Sequence, residues 1–518
     1  MRTNILLLFL VFTFVSCATP SEHGALTIAN GTFVDNKGRE VILNGINHVN
    51  KNVEQKHIDP NDKAYFTQFR NWGFNVVRFG INWAELEPSP GVINEYYLTQ
   101  LDERVRWAQE LGLWLYFDFH QDLYGTDFGN GAPSWATITD GQAHVSGEIW
   151  SDAYILSGAV HHAFDNFWNN TLASDSVGVQ HHYLNCLHLI ADRYKNSPAV
   201  AGYDVMNEPF MGSGSVEVLP FLMRGFAAGI NKFGRQRLSV DQIAAAWYGN
   251  EQKMELMEML NNKAIYDEMV NTADSVVNVF EQGVLSDFYQ QARDAIRSTG
   301  SEQIIFLEHS YFCNLGIASR FKIPVGEDGR EDALCCYAAH GYDLVTDSKD
   351  NKSQGKGRVE FIFDQIAKSG VRKATPVIVG EWGAYYDGHK AFTEASAHTI
   401  GIFEDNKFSQ TYWAYWKSIE GHEYFNQTIV RNYPMVTNGK LLMYKNDFNS
   451  GIYTQRWKES AAKQEKTIVF VKNIDRCVVD ISPASDFSKV KIENTPNGYL
   501  EIEPLVGERE LTISQATL

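Results

Sequence analysis

Val200-Ala201-Gly202-Tyr203-Asp204-Val205-Met206-Asn207-Glu208-Pro209 is a short apolar run that ends on a carboxylate and is stopped by proline. Proline cannot donate to a β-ladder, so the strand pattern closes there. Glu208 is left exposed at the strand's C-terminal end. Taken alone, a strand-end glutamate also suits a helix-cap neighbour or a salt-bridge partner. A second stretch repeats the arrangement: Pro376-Val377-Ile378-Val379-Gly380-Glu381-Trp382-Gly383 is a buried strand pattern ending on a glutamate flanked by glycines. Small neighbours let a ligand approach closely.

Outward from these two runs the chain keeps one rhythm. Short apolar runs occur at Val41–Ile46, Val76–Phe79, Trp114–Phe119, Val200–Met206, Ile304–Leu307, Cys335–Ala339, Val377–Val379 and Gln410–Tyr415. Stretches of helical period lie between most of them, at Tyr97–Leu111, His181–Tyr194, Asp287–Ser298, Val359–Ser369 and Lys390–Glu404. Eight strands alternating with helices predict an α/β fold, a (β/α)8 TIM barrel. A doubly wound open sheet competes, but no glycine-rich phosphate loop follows the first strand.

Almost a hundred residues separate Met206 from Ile304. Residues 214–280 read mostly as helix, with Gln242–Trp247 and Gln252–Asn261 as the clearest pieces. The expectation is a helical insertion after strand 4, above the face where such barrels carry their sites. It could serve as a lid, a partner-binding element or a plain decoration. After residue 435 the period changes to two, at Thr467–Val471, Val478–Ile481, Val490–Ile492, Tyr499–Ile502 and Leu511–Ile513. That texture predicts a C-terminal antiparallel β-sandwich beginning between 430 and 455. The expected division is a catalytic barrel over 25–435 and the sandwich over 436–518. Asn30-Gly31 marks a hairpin between Thr27–Ala29 and Phe33–Val34 near the N-terminus.

The remaining composition narrows the class. The 518 residues carry a formal net charge of −18, which argues against nucleic acid as a partner. Aromatic residues are abundant, with 31 Phe, 24 Tyr and 12 Trp. They feed a large core and also suit stacking against sugar rings. Residues 1–17 read as an export signal: Met1-Arg2-Thr3 precedes an apolar run, Ile5 to Val15, too short to span a bilayer. Phe14-Val15-Ser16-Cys17 resembles a bacterial lipoprotein cleavage box, with Phe14 in place of the usual Leu. The expected product is therefore a periplasmic or cell-surface lipoprotein, otherwise a secreted protein. Membrane contact would then be peripheral, through Cys17 or a lipid substrate, and the chain is expected to act as a monomer. Among six cysteines, a disulfide is considered only for Cys313 with Cys335 or Cys336. No spacing suggests a metal site, and no cofactor is called for.

Two carboxylates at the ends of different barrel strands are what a retaining glycosidase needs. One protonates the leaving oxygen and the other attacks the anomeric carbon. Other strand ends fit the same mouth: Arg78 on the second strand, Asp118-Phe119-His120-Gln121-Asp122 on the third, His340-Gly341-Tyr342 on the sixth and Thr411-Tyr412-Trp413 on the eighth. A lone histidine or arginine on a strand is more often structural, but here polar or aromatic groups recur at one end of nearly every strand.

The set Arg78, His120, Asn207-Glu208, His340-x-Tyr342, Glu381 and Trp413 resembles glycoside hydrolase family 5. The resemblance implies Glu208 as acid/base and Glu381 as nucleophile. It implies that Arg78 orients the nucleophile, Asn207 bonds the sugar 2-hydroxyl and Tyr342 steadies Glu381. His120 would line the glycone subsite and Trp413 would floor it, with Trp416 as a competing floor. Asn44-Gly45-Ile46-Asn47 with Lys51, Glu87-Pro88-Ser89-Pro90-Gly91, His120–Tyr124, Gly129–Trp135 and Ala163-Phe164-Asp165-Asn166-Phe167-Trp168 resemble the endoglycoceramidase branch, over roughly residues 25 to 435. That branch implies release of a glycan from ceramide, with Lys51, Asp122 and Trp168 near the glucose. Two features depart from it: the long insertion and the glycine at the centre of His340-Gly341-Tyr342. Glucosylceramidase, steryl glucosidase and galactosyl-specific activities stay open. So do a β-1,4-glycanase of cellulase or mannanase type and a non-catalytic carbohydrate-binding barrel.

Overall fold

The computed structural model describes residues 24–247, 250–461 and 465–515. Eight parallel strands close into a barrel: Asn44–His48, Val76–Ile81, Trp114–Phe119, Val200–Asp204, Ile304–Glu308, Cys335–His340, Val377–Glu381 and Ser409–Tyr412. Each expected run falls on one of them, and the open-sheet alternative is excluded by the closure of the eighth strand on the first. The register aligns the strand ends in one layer. Asn47 pairs with Arg78, Asp118 with Asp204, and His340 with Glu381. Beneath that layer Tyr116 stacks on Phe306, ring centres 4.4 Å apart, and bonds Thr411 at 2.7 Å, filling the barrel interior.

Helices Glu95–Leu111, Val179–Tyr194, Ser286–Arg297, Lys356–Lys373 and Ala391–Asn406 connect the strands where the periodicity predicts them. Local chemistry sets their ends. Asn94 caps the helix at 95 by accepting from the Tyr97 main-chain N–H, and Gly112 terminates it in the left-handed region at φ 68°.

The interval after the fourth strand is helical, with Val218–Phe233, Val240–Trp247, Asn250–Met259 and Lys263–Phe280. The first and last of these pack against each other through small residues. A Cβ on Gly225 would stand 2.6 Å from the Glu268 carbonyl oxygen, and one on Gly229 would stand 2.9 Å from that of Ile265. The Gly225-x-x-x-Gly229 spacing puts both on one helix face, so the two backbones can approach closely. Helix Lys263–Phe280 runs on through the π-turn Glu281–Leu285 into Ser286–Arg297, tying the insertion to the barrel.

Two antiparallel sheets complete the structure. One has four strands, in the order Lys440–Asp447, Ile452–Glu459, Gly507–Gln515, Cys477–Ser482. The other has seven, and it contains the N-terminal strands Thr27–Ala29, Thr32–Val34 and Glu40–Val41 beside Tyr433–Thr437, Thr467–Val471, Gly498–Ile502 and Phe487–Lys491. The predicted N-terminal hairpin thus forms, but as an edge of the C-terminal sheet. Strand Tyr433–Thr437 lies across the expected boundary at 436.

The considered disulfide does not form. Cys186, Cys313, Cys335, Cys336 and Cys477 are all free and buried. Cys335 and Cys336 are neighbours on one barrel strand, while the Cys313 thiol is turned to Glu281, 3.3 Å away. The export signal and Cys17 lie outside the described residues. Among the described residues, no helix is long and apolar enough to cross a membrane.

Candidate active site

Glu208 and Glu381 meet across the barrel mouth. One carboxylate oxygen from each and a ring nitrogen of His340 all lie within 4.8 Å of one another. Both glutamates are nearly buried, 7% and 4% exposed. Just beyond its strand, Glu208 adopts φ 44°, a conformation that costs a non-glycine residue about 1–3 kcal/mol. Its main-chain N–H is held by Glu308 Oε2 at 2.8 Å. Asn207, one residue earlier, donates from Nδ2 to the Gln121 carbonyl at 2.9 Å and accepts from Arg78.

Arg78 organises the layer. It is wholly buried, and every guanidinium nitrogen is engaged. Nε donates to Asp204 at 2.9 Å, Nη1 to Glu381 at 2.6 Å and Asn47 at 3.1 Å, and Nη2 to Glu308 at 2.7 Å and Asn207 at 2.9 Å. Asp118 stands 3.0 Å from Nη2. Oxygens of Asp118, Asp204 and Glu308 converge within 4.8 Å, and the guanidinium takes the place that a cation would need among them. Burial pushes Asp204 well above the carboxylate range, with Glu308 adding to the rise against the pull of Arg78.

The two glutamates are held differently. Glu381 accepts from Arg78 on Oε1 and from the Tyr342 hydroxyl on Oε2 at 2.9 Å. Burial raises its pKa against the pull of His340 and Arg78. Burial also pushes the Tyr342 phenol well up, with Glu381 adding to it, so the phenol keeps the hydrogen it donates. Glu208 accepts two bonds on a single oxygen: Asn314 Nδ2 at 2.6 Å and His340 Nδ1 at 3.1 Å both reach Oε1. Oε2 is thereby the oxygen left to hand a proton to a leaving group. The other His340 nitrogen faces Glu308 at 3.2 Å. Burial opposes a charge on His340, yet Glu308 and Glu381 lift its pKa well above the ordinary value. Asn314 is oriented in turn by His309, Nε2 to Oδ1 at 2.8 Å.

The expected glycone residues sit together beside the glutamates. His120 is 2.7 Å from Asp118 and 3.4 Å from Asp122, and its ring stacks on Trp413 with centroids 5.4 Å apart and planes at 13°. Burial works against its charge, but Asp118 and Asp122 raise it to about 9. Lys51 pairs with Asp122 at 2.7 Å, and its ammonium lies 4.8 Å from the Trp413 ring and 5.8 Å from that of Trp150. Trp413 donates to Tyr386 at 3.3 Å, and its peptide bond to Ala414 is cis.

Two of the candidate aromatics stand apart from the cavity lining. Trp168 ends helix Gly158–Trp168 and packs between Phe280 and Phe288, its indole N–H given to the Phe210 carbonyl at 2.8 Å. It braces the insertion and is not among the walls of the cavity. Trp416 packs on His422, ring centroids 4.8 Å apart, and is not a wall of the cavity, so Trp413 is the available floor.

The site opens into a cavity of about 350 Å³. Its lining includes Lys51, Asp122, Asn207, Tyr342, Trp413 and the two glutamates. The same cavity is also lined by the apolar side chains Ile149, Ile155, Phe312, Leu315 and Leu344, together with Leu219 and Leu222 of the insertion. Trp150, 45% exposed, stands at the rim and donates to Asp347 at 3.1 Å. The insertion is therefore a wall of the cavity.

Sequence reasoning passed over Asn314, Trp150, Asp347 and the buried carboxylates Asp204 and Glu308, and it gave Asp118, named at the end of the third strand, no role of its own. Glu308 carries the signal that found the other two glutamates, a carboxylate closing an apolar strand, but the run read from Ile304 stops at Leu307.

Comparisons with known proteins agree with this geometry. The family model described as Cellulase (glycosyl hydrolase family 5) matches residues 34–418, and that of the glycoside hydrolase family 5 C-terminal domain matches 431–513. Endoglycoceramidase I of Rhodococcus hoagii is 31% identical over 198 residues, covering 37% of this chain and 38% of the relative. An endoglycoceramidase of Cyanea nozakii is 28% identical over 211 residues, 35% of this chain and 40% of the relative. The chain thus spans about two fifths of the length of these relatives. Endo-glycoceramidase II from Rhodococcus sp. superimposes with a TM-score of 0.69 at 23% identity, over 93% of this chain and 99% of that one. Cryptococcus neoformans sterylglucosidase 1 does so at 0.68 and 16% identity, over 96% and 97%. At such identities the likeness is one of fold.

Proposed function

The chain belongs to glycosyl hydrolase family 5, and on that premise we propose that it is a retaining β-glycosidase cleaving the bond between a glycan and a lipid aglycone, in the manner of an endoglycoceramidase. One observation carries the reading. The one cavity that holds both glutamates is lined by charged groups and the Trp413 ring and also by leucine, isoleucine and phenylalanine side chains. A polymer-cleaving relative has no use for the apolar lining, because both sides of its scissile bond are sugars. The names of the relatives point the same way.

The chemistry follows from the bonds. Retention requires carboxyl groups about 5 Å apart, and the two glutamates approach within 4.8 Å. Glu208 protonates the glycosidic oxygen from Oε2 while Glu381 attacks the anomeric carbon, forming a glycosyl-enzyme. Arg78 and Tyr342 hold Glu381 as the attacking carboxylate. Glu208, now ionised, then takes a proton from the water that releases the sugar. The proton and both electron pairs are accounted for within the two carboxyls, the substrate and water. The aglycone leaves along the apolar wall.

Purified protein with a Glu381→Gln control, incubated with glucosylceramide, lactosylceramide and a ganglioside, tests the proposal by thin-layer chromatography. Ceramide plus intact glycan, absent in the control, supports endo action. Ceramide from glucosylceramide alone makes it an exo-acting glucosidase. Release of ceramide from none of them rejects a ceramide substrate. We further propose that the protein is exported and anchored through Cys17. The support is the apolar run from Ile5 to Val15 ahead of that cysteine. Metabolic labelling with a radioactive fatty acid, lost in Cys17→Ala, checks it.

A further inference from the structure

Glu308 ends the fifth barrel strand, is 1% exposed and touches neither cavity nor solvent. Three groups converge on it. Its Oε2 accepts the main-chain N–H of Glu208 at 2.8 Å. Its Oε1 faces Arg78 Nη2 at 2.7 Å and His340 Nε2 at 3.2 Å. Each of those two groups carries the connection onward. Arg78 reaches Glu381 at 2.6 Å, and His340 reaches Glu208 Oε1 at 3.1 Å and stands 3.6 Å from Glu381. Glu308 is itself anchored from outside the barrel, because Tyr289 of helix Ser286–Arg297 donates to its carbonyl at 2.7 Å.

We propose that Glu308 is a positioning residue of this site, a carboxylate hub that fixes the acid/base and the nucleophile relative to each other through the Glu208 backbone, His340 and Arg78. The proposal rests on the two-glutamate reading above and adds a third glutamate to it. A buried carboxylate with no cationic partner would be neutral. Here two cations face it, and it holds a backbone N–H in the left-handed conformation that Glu208 requires. Its carboxylate also raises the His340 pKa, and the two ring nitrogens of His340 stand 3.1 Å from Glu208 and 3.2 Å from Glu308. The groups facing His340 are Glu208 and Asp204 from the fourth strand and its end, Glu308 and His309 from the fifth and Glu381 from the seventh. Glu308 is the anion among them whose one oxygen accepts from Arg78 at 2.7 Å and stands 3.2 Å from His340.

The test uses Glu308→Gln and Glu308→Asp in the full chain. Selective labelling of histidine ring nitrogens reads the charge on His340 against pH, and kcat and KM are followed on an activated aryl β-glucoside. Glu308→Gln removes the anion while keeping the shape. His340 is expected to titrate in that variant between about pH 5 and 8, and a matching ionisation enters the pH–rate profile. The fall in kcat is expected at roughly 10- to 100-fold, less than the 10²–10⁴ typical of an acid/base group itself, with KM little changed. Glu308→Asp keeps the charge but cannot span all three partners. It is expected to lower kcat with the limbs of the profile unmoved. A His340 that stays charged in Glu308→Gln with an unshifted profile overturns the proposal. Should Glu308→Gln not fold, wild-type kcat in Glu308→Asp overturns it. Failure of the two-glutamate reading is separate. It would show as a wild-type protein hydrolysing no β-glycoside, while the His340 titration would still report on Glu308.

Discussion

Tyr342 donates its phenolic hydrogen to Glu381 Oε2 across 2.9 Å, on the side of the carboxylate opposite the Arg78 bond. A hydrogen bond to a charged group contributes about 1.5–3 kcal/mol. Tyr342→Phe is therefore expected to lower kcat by about 10- to 100-fold with little change in KM. The lost donor favoured the ionised form, so the Glu381 pKa rises and the acidic limb of the kcat/KM profile moves to higher pH. A limb that stays in place would show that Tyr342 does not bond the ionised nucleophile.

Glu381→Gln is expected to abolish turnover with the fold intact, as read by circular dichroism. Glu208→Gln should slow substrates with poor leaving groups far more than aryl glycosides whose leaving group needs no proton. Equal losses on both would reject Glu208 as the acid. The profile of the native protein should be bell-shaped, since one carboxyl works protonated and the other ionised. Because no step uses a metal, EDTA is expected to leave the rate unchanged.

His120 carries a raised pKa, from 6.5 to about 9, through Asp118 and Asp122 and against the cost of burial. A basic group raised on folding binds its proton more tightly in the folded state. Its contribution is fully present below pH 6.5 and is lost as pH climbs through 9, to a total of about 3 kcal/mol. The unfolding free energy should accordingly fall over that window. The fall should be smaller in His120→Asn, which has nothing to titrate there. Identical slopes in denaturant titrations of both proteins would contradict the assignment.

Leu222 belongs to the insertion yet lines the cavity that holds both glutamates. Burying a leucine side chain is worth about 1.5–3 kcal/mol. Leu222→Asp should raise KM for glucosylceramide by at least about tenfold and leave an aryl β-glucoside with a small aglycone nearly unaffected. Parallel changes on both substrates would place the lipid elsewhere.

The legible parts of the sequence were those with a local physical signature. Proline after Glu208 and glycines around Glu381 mark strand ends in a few residues, and eight apolar runs alternating with amphipathic stretches specify the barrel. The illegible parts depend on register. Asp118 and Asp204 look like polar interruptions of apolar strands until pairing sets them side by side beneath Arg78. Glu308 lies one residue past the apolar run, where strand limits are least certain. Trp168 was ambiguous because an aromatic ring near a family motif suits a sugar platform and a hydrophobic brace equally well; its neighbours Phe280 and Phe288 come from more than a hundred residues away. Strands Lys440–Asp447 and Ile452–Glu459 escaped listing in part because the first, Lys-Leu-Leu-Met-Tyr-Lys-Asn-Asp, does not alternate.

The N-terminal hairpin has a consequence for synthesis. Glu40 pairs with Thr437, and its carboxylate accepts the main-chain N–H of Leu441, a contact spanning 401 positions. The strand that leads into the barrel leaves the ribosome early and pairs at once with Thr32–Val34, but its partner on the other side, Tyr433–Thr437, is made only after the eighth barrel strand. Until then that edge stays unpaired. A late stretch therefore seals an early one, and a barrel expressed without it would carry an open, aggregation-prone edge where the native chain has a closed seam.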